Sequence, residues 1–266
     1  MKFFSKSILT FPMGQFPINE IPAVSLDTKP VNKQGYRCRE FSDLGDKNII
    51  FIGDEWTEGV GVSYPNTYSA IVTKKFSNLT GYSFHEFNFG HRNKSFDYIT
   101  RIIWCALNVL KPDFVFMCFP KLDRREYFAL DGRLIDYDSD QARKIANGEF
   151  SVNRIDQELT THLHELLSDF DHSVNALKNF HLLECLLDDR DIPWAYSFNQ
   201  NAITNEHTKA LAESGLFDKH RYIGSSFNLI DRRCPRGEYP DDACHRLFGE
   251  KVFTWINEKY PELTTE

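Results

Sequence analysis

The chain has 266 residues, 41% of them hydrophobic and 14% aromatic, which suffices for one large α/β domain with an extension, and its 23 phenylalanines predict a bulky core. A formal charge of −7 argues against nucleic acid or an anionic membrane surface as a partner, and no apolar run is long enough to span a bilayer. Six cysteines without Cys-x-x-Cys or His-x-x-x-His spacing leave neither a disulfide scaffold nor a structural zinc site, and no metal or cofactor is expected.

Residues 1–34 carry Pro12, Pro17, Pro22 and Pro30 with little periodicity, and read as an arm lying over the domain or reaching a partner. The first residues start like a signal peptide, but Ser5, Lys6 and Ser7 break the apolar part and no clean cleavage site follows. A cytoplasmic or otherwise soluble protein is expected. Residues 35–266 read as one domain. Its first strand is the apolar run Ile49–Ile52, which enters a tight turn at Gly53, where a glycine lets the backbone approach a ligand. Tyr68, Ile71, Val72, Phe76 and Leu79 then share one helical face. Phe84, Phe87 and Phe89 mark a second strand. Ser95 or Asn93 can cap the next helix, whose buried stripe runs from Phe96 to Leu110 and stops at Lys111-Pro112. Phe114–Phe119 is a third strand, fully apolar. Strand and helix alternating with short joins imply right-handed crossovers and a parallel sheet. The expected fold is a single three-layer α/β/α sandwich with a mostly parallel, flavodoxin-like doubly wound sheet.

The second half is less regular. Residues 129–152 are polar, with turn signals at Asp131-Gly132 and Asn147-Gly148, and read as an irregular insertion. A long helix is predicted over about 156–187, bent near 169–171. Ile192–Phe198 is a fourth strand, placed near an edge by Pro193. Residues 199–240 are loop-rich, with a short helix over 206–213 and a fifth strand around 222–230. Leu247, Phe248, Val252, Phe253 and Ile256 define a closing amphipathic helix over 242–259. Cys105, Cys118 and Cys185 read as core residues, while Cys38, Cys234 and Cys244 lie in polar stretches that suit exposed thiols.

The stretch Gly53-Asp54-Glu55-Trp56-Thr57-Glu58-Gly59-Val60-Gly61 resembles block I of the SGNH (GDSL-type) hydrolases, Gly-Asp-Ser-x-Thr-x-Gly-x-Gly, with Glu55 in the place of the nucleophilic serine. Upstream, Asn32 to Arg37 is similar to the Asn-Ser-x-Gly-Phe-Arg lead-in of that family. Asn88, Gly90 and Asn93 match block II, with Asn93 replacing the glycine whose N–H serves the oxyanion hole; asparagine tolerates the left-handed backbone such a position needs. At block III, Leu122 stands where the family has an asparagine donor. Asp242-Ala-Cys-His245 keeps the Asp-x-x-His of block V.

The resemblance implies that Glu55, Asp242 and His245 meet at the carboxyl edge of the sheet, His245 as base and Asp242 orienting it. Asp54, Gly90 and Asn93 would line the same place. Arg92, Arg124, Arg125, Arg232 and Arg233 fall in loops converging there, and guanidinium forks suit an anionic small molecule or glycan. The competing reading is that Asp123, Glu126 and Asp231 neutralise them as surface pairs. Losing one oxyanion donor costs roughly 10²–10³-fold in rate. With the serine and the block III donor both replaced, an ordinary serine esterase is not expected. Two functions are left open: an ester hydrolase of altered chemistry, with Glu55 and His245 holding a water, or a catalytically silent domain that binds a glycan or anchors an assembly. Gly53–Gly61 lacks the glycine spacing of a nucleotide-binding loop.

Overall fold

The computed structural model describes residues 31–128, 134–149, 154–199, 213–227 and 239–264. Most of the N-terminal arm, the 206–213 helix apart from its last residue, Arg232, Arg233 and Cys234 lie outside the described residues. Four parallel strands form the central sheet: β1 (Lys47–Gly53), β2 (Phe84–Gly90), β3 (Phe114–Phe119) and, late in the chain, Trp194–Phe198, in the order β2-β1-β3 and then that last strand. The helices between them are α1 (Glu55–Glu58), α2 (Tyr68–Thr80) and α3 (Phe96–Ala106). Successive side chains of a strand point to opposite faces. Ile49 and Phe51 therefore pack with Tyr68, Val72 and Phe76 of α2, while Ile50 and Ile52 pack with Ile99, Ile102 and Ile103 of α3. A strand covered on both faces needs an unbroken apolar run, which is why β1 and β3 read as continuous hydrophobes. Phe114, Phe116 and Phe119 are fully buried, and Phe119 stacks on Phe96 with ring centroids 4.4 Å apart. The three-layer α/β sandwich is the fold expected from the sequence.

Helix ends follow their caps. Ser95, not Asn93, caps α3, its Oγ accepting from the Tyr98 N–H at 3.3 Å. Thr67 caps α2, which closes on Gly81 in the left-handed region. Among the described residues no helix is long and apolar enough to cross a membrane.

Several expectations are corrected. The stretch after β3 and part of the 129–152 insertion form an antiparallel hairpin, β4 (Arg124–Phe128) with β5 (Leu134–Asp138), followed by α4 (Ser139–Ala146). Both faces of this hairpin carry charged or hydroxylated residues, so it lacks the apolar alternation that signals a strand. The long helix is two, α5 (Arg154–Leu166) and α6 (Asp169–Asp188), because Ser168 stops the run and caps the second by accepting from the Asp171 N–H at 3.2 Å. The fourth sheet strand, β6 (Trp194–Phe198), and Asn199 just beyond it meet the described part of the 222–230 stretch in isolated parallel bridges, Tyr196 with Tyr222 and Asn199 with Ser226, and 228–230 lie outside the described residues. α7 (Asp242–Lys259) closes the chain beside α2, and α6 lies beside α3. Cys38 and Cys244 are buried and Cys185 is exposed, the reverse of their polarity-based assignment.

Candidate active site

The turn leaving β1 is built by close approach. A methyl on Gly53 would lie 2.6 Å from the Cys118 carbonyl oxygen and overlap Thr57 Oγ1. Asp54, fully buried, caps α1 by accepting from the Trp56 N–H at 3.1 Å. Gly59 and Gly61 adopt left-handed φ of 78° and 91°, which glycine supplies without strain. Thr57 turns inward, its Oγ1 3.1 Å from Tyr68 Oη and its carbonyl accepting from Asn88 Nδ2 at 2.8 Å. The lead-in also has a physical task. Asn32 Oδ1 accepts from the Tyr36 N–H at 2.9 Å, and Arg37 donates to the carbonyls of Glu58 at 3.1 Å, Gly59 at 2.5 Å and Val62 at 2.5 Å. One guanidinium thus holds the loop after α1.

The end of β2 presses on the same helix. Gly90 donates to Asn88 Oδ1 at 2.8 Å, and a methyl there would overlap the Glu58 nitrogen and the Thr57 carbonyl carbon. Gly90→Ala is therefore expected to cost about 2–3 kcal/mol by overpacking against backbone that cannot step aside. Urea unfolding checks this; a loss below about 1 kcal/mol would mean that the two segments separate easily. Beyond Gly90, Asn93 has φ 57° and its N–H donates to Glu55 Oε2 at 3.0 Å. The left-handed asparagine points its N–H inward, onto the Glu55 carboxylate.

Arg124, 6% exposed, completes the arrangement from the hairpin. Nη2 donates to Glu55 Oε1 at 3.0 Å and Nη1 to Glu55 Oε2 at 3.1 Å, a bidentate fork. Nη1 also lies 3.3 Å from Asp54 Oδ2, and Nε donates to Asp138 Oδ2 at 3.0 Å. Asn199, at the end of β6, donates to Asp54 Oδ2 at 2.9 Å. One cation thus serves three carboxylates. Burial alone would raise the Glu55 carboxyl, but the Arg124 charge and its hydrogen bonds outweigh it and hold Glu55 below its ordinary value. Burial, and then the neighbouring Glu55 charge, push Asp54 up to about 7. Two further ion pairs tie the same face of the hairpin to the domain: Arg101 forks onto Glu126 with both contacts at 2.7 Å, and Lys94 reaches Asp136 at 2.6 Å.

His245 is placed differently from the expectation. It is fully buried in α7, and its Nδ1 accepts from the Tyr68 backbone N–H at 3.2 Å. Its ring lies against Tyr68, with centroids 6.2 Å apart, and edge-on to Phe227 at 4.9 Å. An Nδ1 that accepts leaves the proton on Nε2, which has no hydrogen-bond partner among the described residues. Burial, reinforced by the Arg37 charge, pulls the imidazole down to about 3. Asp242 is exposed in the first turn of α7, where Asp241 is the cap, accepting from the Cys244 N–H at 2.9 Å. The expected Asp242–His245 hydrogen bond is not formed, because the backbone of Tyr68 takes the nitrogen it would need. Glu55 does not hydrogen-bond His245 either, because Arg124 and Asn93 engage it.

Three of the five rim arginines lie among the described residues. Arg124 points inward; Arg125, on the other side of the hairpin, pairs with Asp171 at 2.8 Å and lies 3.4 Å from Asp97; Arg92 lies 3.9 Å from Glu58. Leu122 is a buried apolar residue. Arg37, Asp138 and Asn199 also belong to this arrangement; the lead-in motif marks Arg37 in the sequence, while Asp138 and Asn199 lie in polar stretches that carry no such signal. Among the described residues no group of three or more His, Cys, Asp or Glu side chains is arranged to hold a metal.

No family model matches the sequence, and no curated protein matches it. Solved structures do. A lipolytic protein of the G-D-S-L family from Desulfitobacterium hafniense DCB-2 is 12% identical over 79% of this chain and 99% of its own, with a TM-score of 0.49. A two-domain esterase active on acetylated mannans is 15% identical over 83% of this chain and 51% of its own, at 0.49. The psychrotrophic esterase EstA from Pseudoalteromonas sp. is 11% identical over 80% and 98%, at 0.47. The likeness is one of fold.

Proposed function

We propose that this is an SGNH-like domain that has lost serine-type ester hydrolysis and works by binding. The reading is supported above all by the Glu55–Arg124 fork with the Asn93 N–H on the same carboxylate. Oxyanion donors raise a rate only when they meet charge that develops in the transition state. Here the donors at that place already serve a permanent anion. His245 adds to the argument: a buried imidazole whose Nδ1 accepts from backbone offers a protonated Nε2, which cannot take a proton from a nucleophile. The ligand stays in the class expected from sequence, a small molecule or glycan. Arg124 and Arg125 are engaged by the protein's own carboxylates, which weighs against an anionic ligand held by those two residues.

The test is an assay on aryl acetates and acetylated sugars. Wild type is expected to match the buffer rate, and so is Glu55→Ser, whose new hydroxyl would find no base. Wild-type turnover abolished by the near-isosteric Glu55→Gln would overturn the reading and restore Glu55 as a catalytic group. A gain in Glu55→Ser would show that His245 can act as base after all.

A further inference from the structure

The hairpin that delivers Arg124 is fastened differently from the strands of the central sheet. β1, β2, β3 and β6 all supply side chains to the two hydrophobic clusters that cover the sheet. Among the described residues, no side chain of β4 or β5 belongs to either cluster. The buried residues of the hairpin are Arg124, Glu126 and Tyr137, two of them charged, while Phe128 is 54% exposed. Its attachments are accordingly polar. On the inner face, where Arg124 lies opposite Asp138 and Glu126 opposite Asp136, Arg124 reaches Glu55 and Asp54, Glu126 meets Arg101 and Asp136 meets Lys94. On the outer face Arg125 pairs with Asp171 and lies near Asp97, and the Tyr137 ring stacks on His172 with centroids 5.7 Å apart. The Glu126 N–H is also engaged outside the hairpin, donating to Asp97 Oδ2 on α3 at 3.0 Å.

An attachment of this kind is hard to strip and easy to lift. Removing one partner of a pair leaves the other charge buried, which is costly. Lifting the whole hairpin returns both partners of each pair to water, and the hydration recovered offsets most of the attraction given up. Arg124 keeps Asp138 throughout, because both lie on the hairpin, with Nε 3.0 Å from Oδ2. The apolar surface given up is small, chiefly the face of Tyr137 on His172. Separating a strand of the central sheet would instead expose a run such as Phe114–Phe119, every residue of which is buried. Apolar burial is the dominant favourable term in folding. Opening the hairpin thus carries a far smaller apolar penalty than opening the sheet, which is the condition for a segment to open on its own.

We propose that β4 and β5 form a clasp that lifts from the folded domain as one unit, taking Arg124 off Glu55 and uncovering the candidate site while the sheet stays intact. The opening follows from the contacts of the hairpin; that it admits a ligand rests on the binding reading above. Amide-resolved hydrogen exchange of the full chain tests the opening without a ligand, so its outcome is separate from that of the esterase assay. The Glu126 amide is the reporter, since its bond to Asp97 breaks when the hairpin leaves α3. In wild type it is expected to exchange, relative to its free rate, about 100-fold or more faster than the amides of β1 and β3. Val72→Ala, in α2 on the face of the sheet away from α3, should speed the β1 and β3 amides about tenfold and leave Glu126 unchanged. Arg124→Met should speed Glu126 and the sheet amides alike, because the charge it strands in the closed protein is relieved in either opening. A Glu126 amide as slow as the sheet, or one that follows Val72→Ala, would mean that the hairpin opens only with the whole domain and would overturn the proposal. So would a fast Glu126 amide that ignores Arg124→Met, the mark of local fraying with Arg124 still in place. Should Arg124→Met fail to fold, Asp136→Asn, which removes the Lys94 pair, is judged by the same comparison.

Discussion

Replacing Arg124 by methionine is expected to destabilise the protein by about 3–5 kcal/mol, the usual cost of stripping one partner from a buried ion pair. The substitution keeps a long apolar stem and removes the guanidinium that is shared by Glu55, Asp54 and Asp138. Three carboxylates would then face each other with Asn199 and backbone N–H groups as their remaining donors. The cost should depend on pH. In wild type Arg124 holds Glu55 low; without it, burial raises that carboxyl above its unfolded value. A carboxyl raised on folding loses stability as pH rises above the ordinary carboxylate range. The gap between wild type and Arg124→Met should therefore be wider at pH 8 than at pH 5. Removing the orphaned charge as well, in Arg124→Met with Glu55→Gln, should return part of the loss, since residues in one network couple by about 0.5–3 kcal/mol. Urea unfolding of the four proteins of this cycle measures all of it. A single-variant cost below about 1 kcal/mol, the level of an exposed pair, would mean that the fork does not hold Glu55.

The second large effect concerns acid. His245 has a folded value of about 3, against about 6.5 for a free imidazole. The unfolded chain takes up this proton as pH falls below about 6.5, and the folded chain refuses it. Its stabilising contribution is complete above that pH and drains away toward pH 3. Between pH 7.5 and 4 the loss amounts to about 3 kcal/mol. Asp54 and Glu58, each raised to about 7 chiefly by burial, slope the other way in this window, because the folded state keeps protons the unfolded state gives up. The wild-type curve alone would hide the histidine. The difference from His245→Asn isolates it: the amide oxygen can accept from the Tyr68 N–H and the side chain does not titrate. The stability gap between the two proteins should shrink by about 3 kcal/mol on acidification. A gap that stays constant would mean that the imidazole has access to water or to a carboxylate in the folded state.

Much of this molecule is legible residue by residue. The unbroken apolar runs Ile49–Ile52 and Phe114–Phe119, the helical stripes of α2 and α3, and the glycines at 53, 59, 61 and 90 each report a local demand. Burial on two faces excludes polar side chains, and a backbone pressed against its neighbour excludes a Cβ. Such constraints fix the residue type at the position itself, whichever neighbour imposes them, so they leave a pattern in the chain, and with it the class and winding of the fold. Asn93 belongs with them, as its side chain suits the left-handed backbone found there.

What became of the site was decided elsewhere. Glu55 finds Arg124 across 69 positions, and His245 loses its Nδ1 to a backbone amide 177 positions away. Neither partnership leaves a periodic mark, because an ion pair or a single hydrogen bond asks only that two groups arrive together. Arg124 and Arg125 make the point most sharply. Adjacent on β4, they fall on opposite faces of a hairpin whose polar sequence reads as loop, and that alternation sends one to Glu55 and the other to Asp171. The residue types of the site were set by the sequence; which carboxylate claims which guanidinium, and which nitrogen of His245 bears the proton, were set by packing.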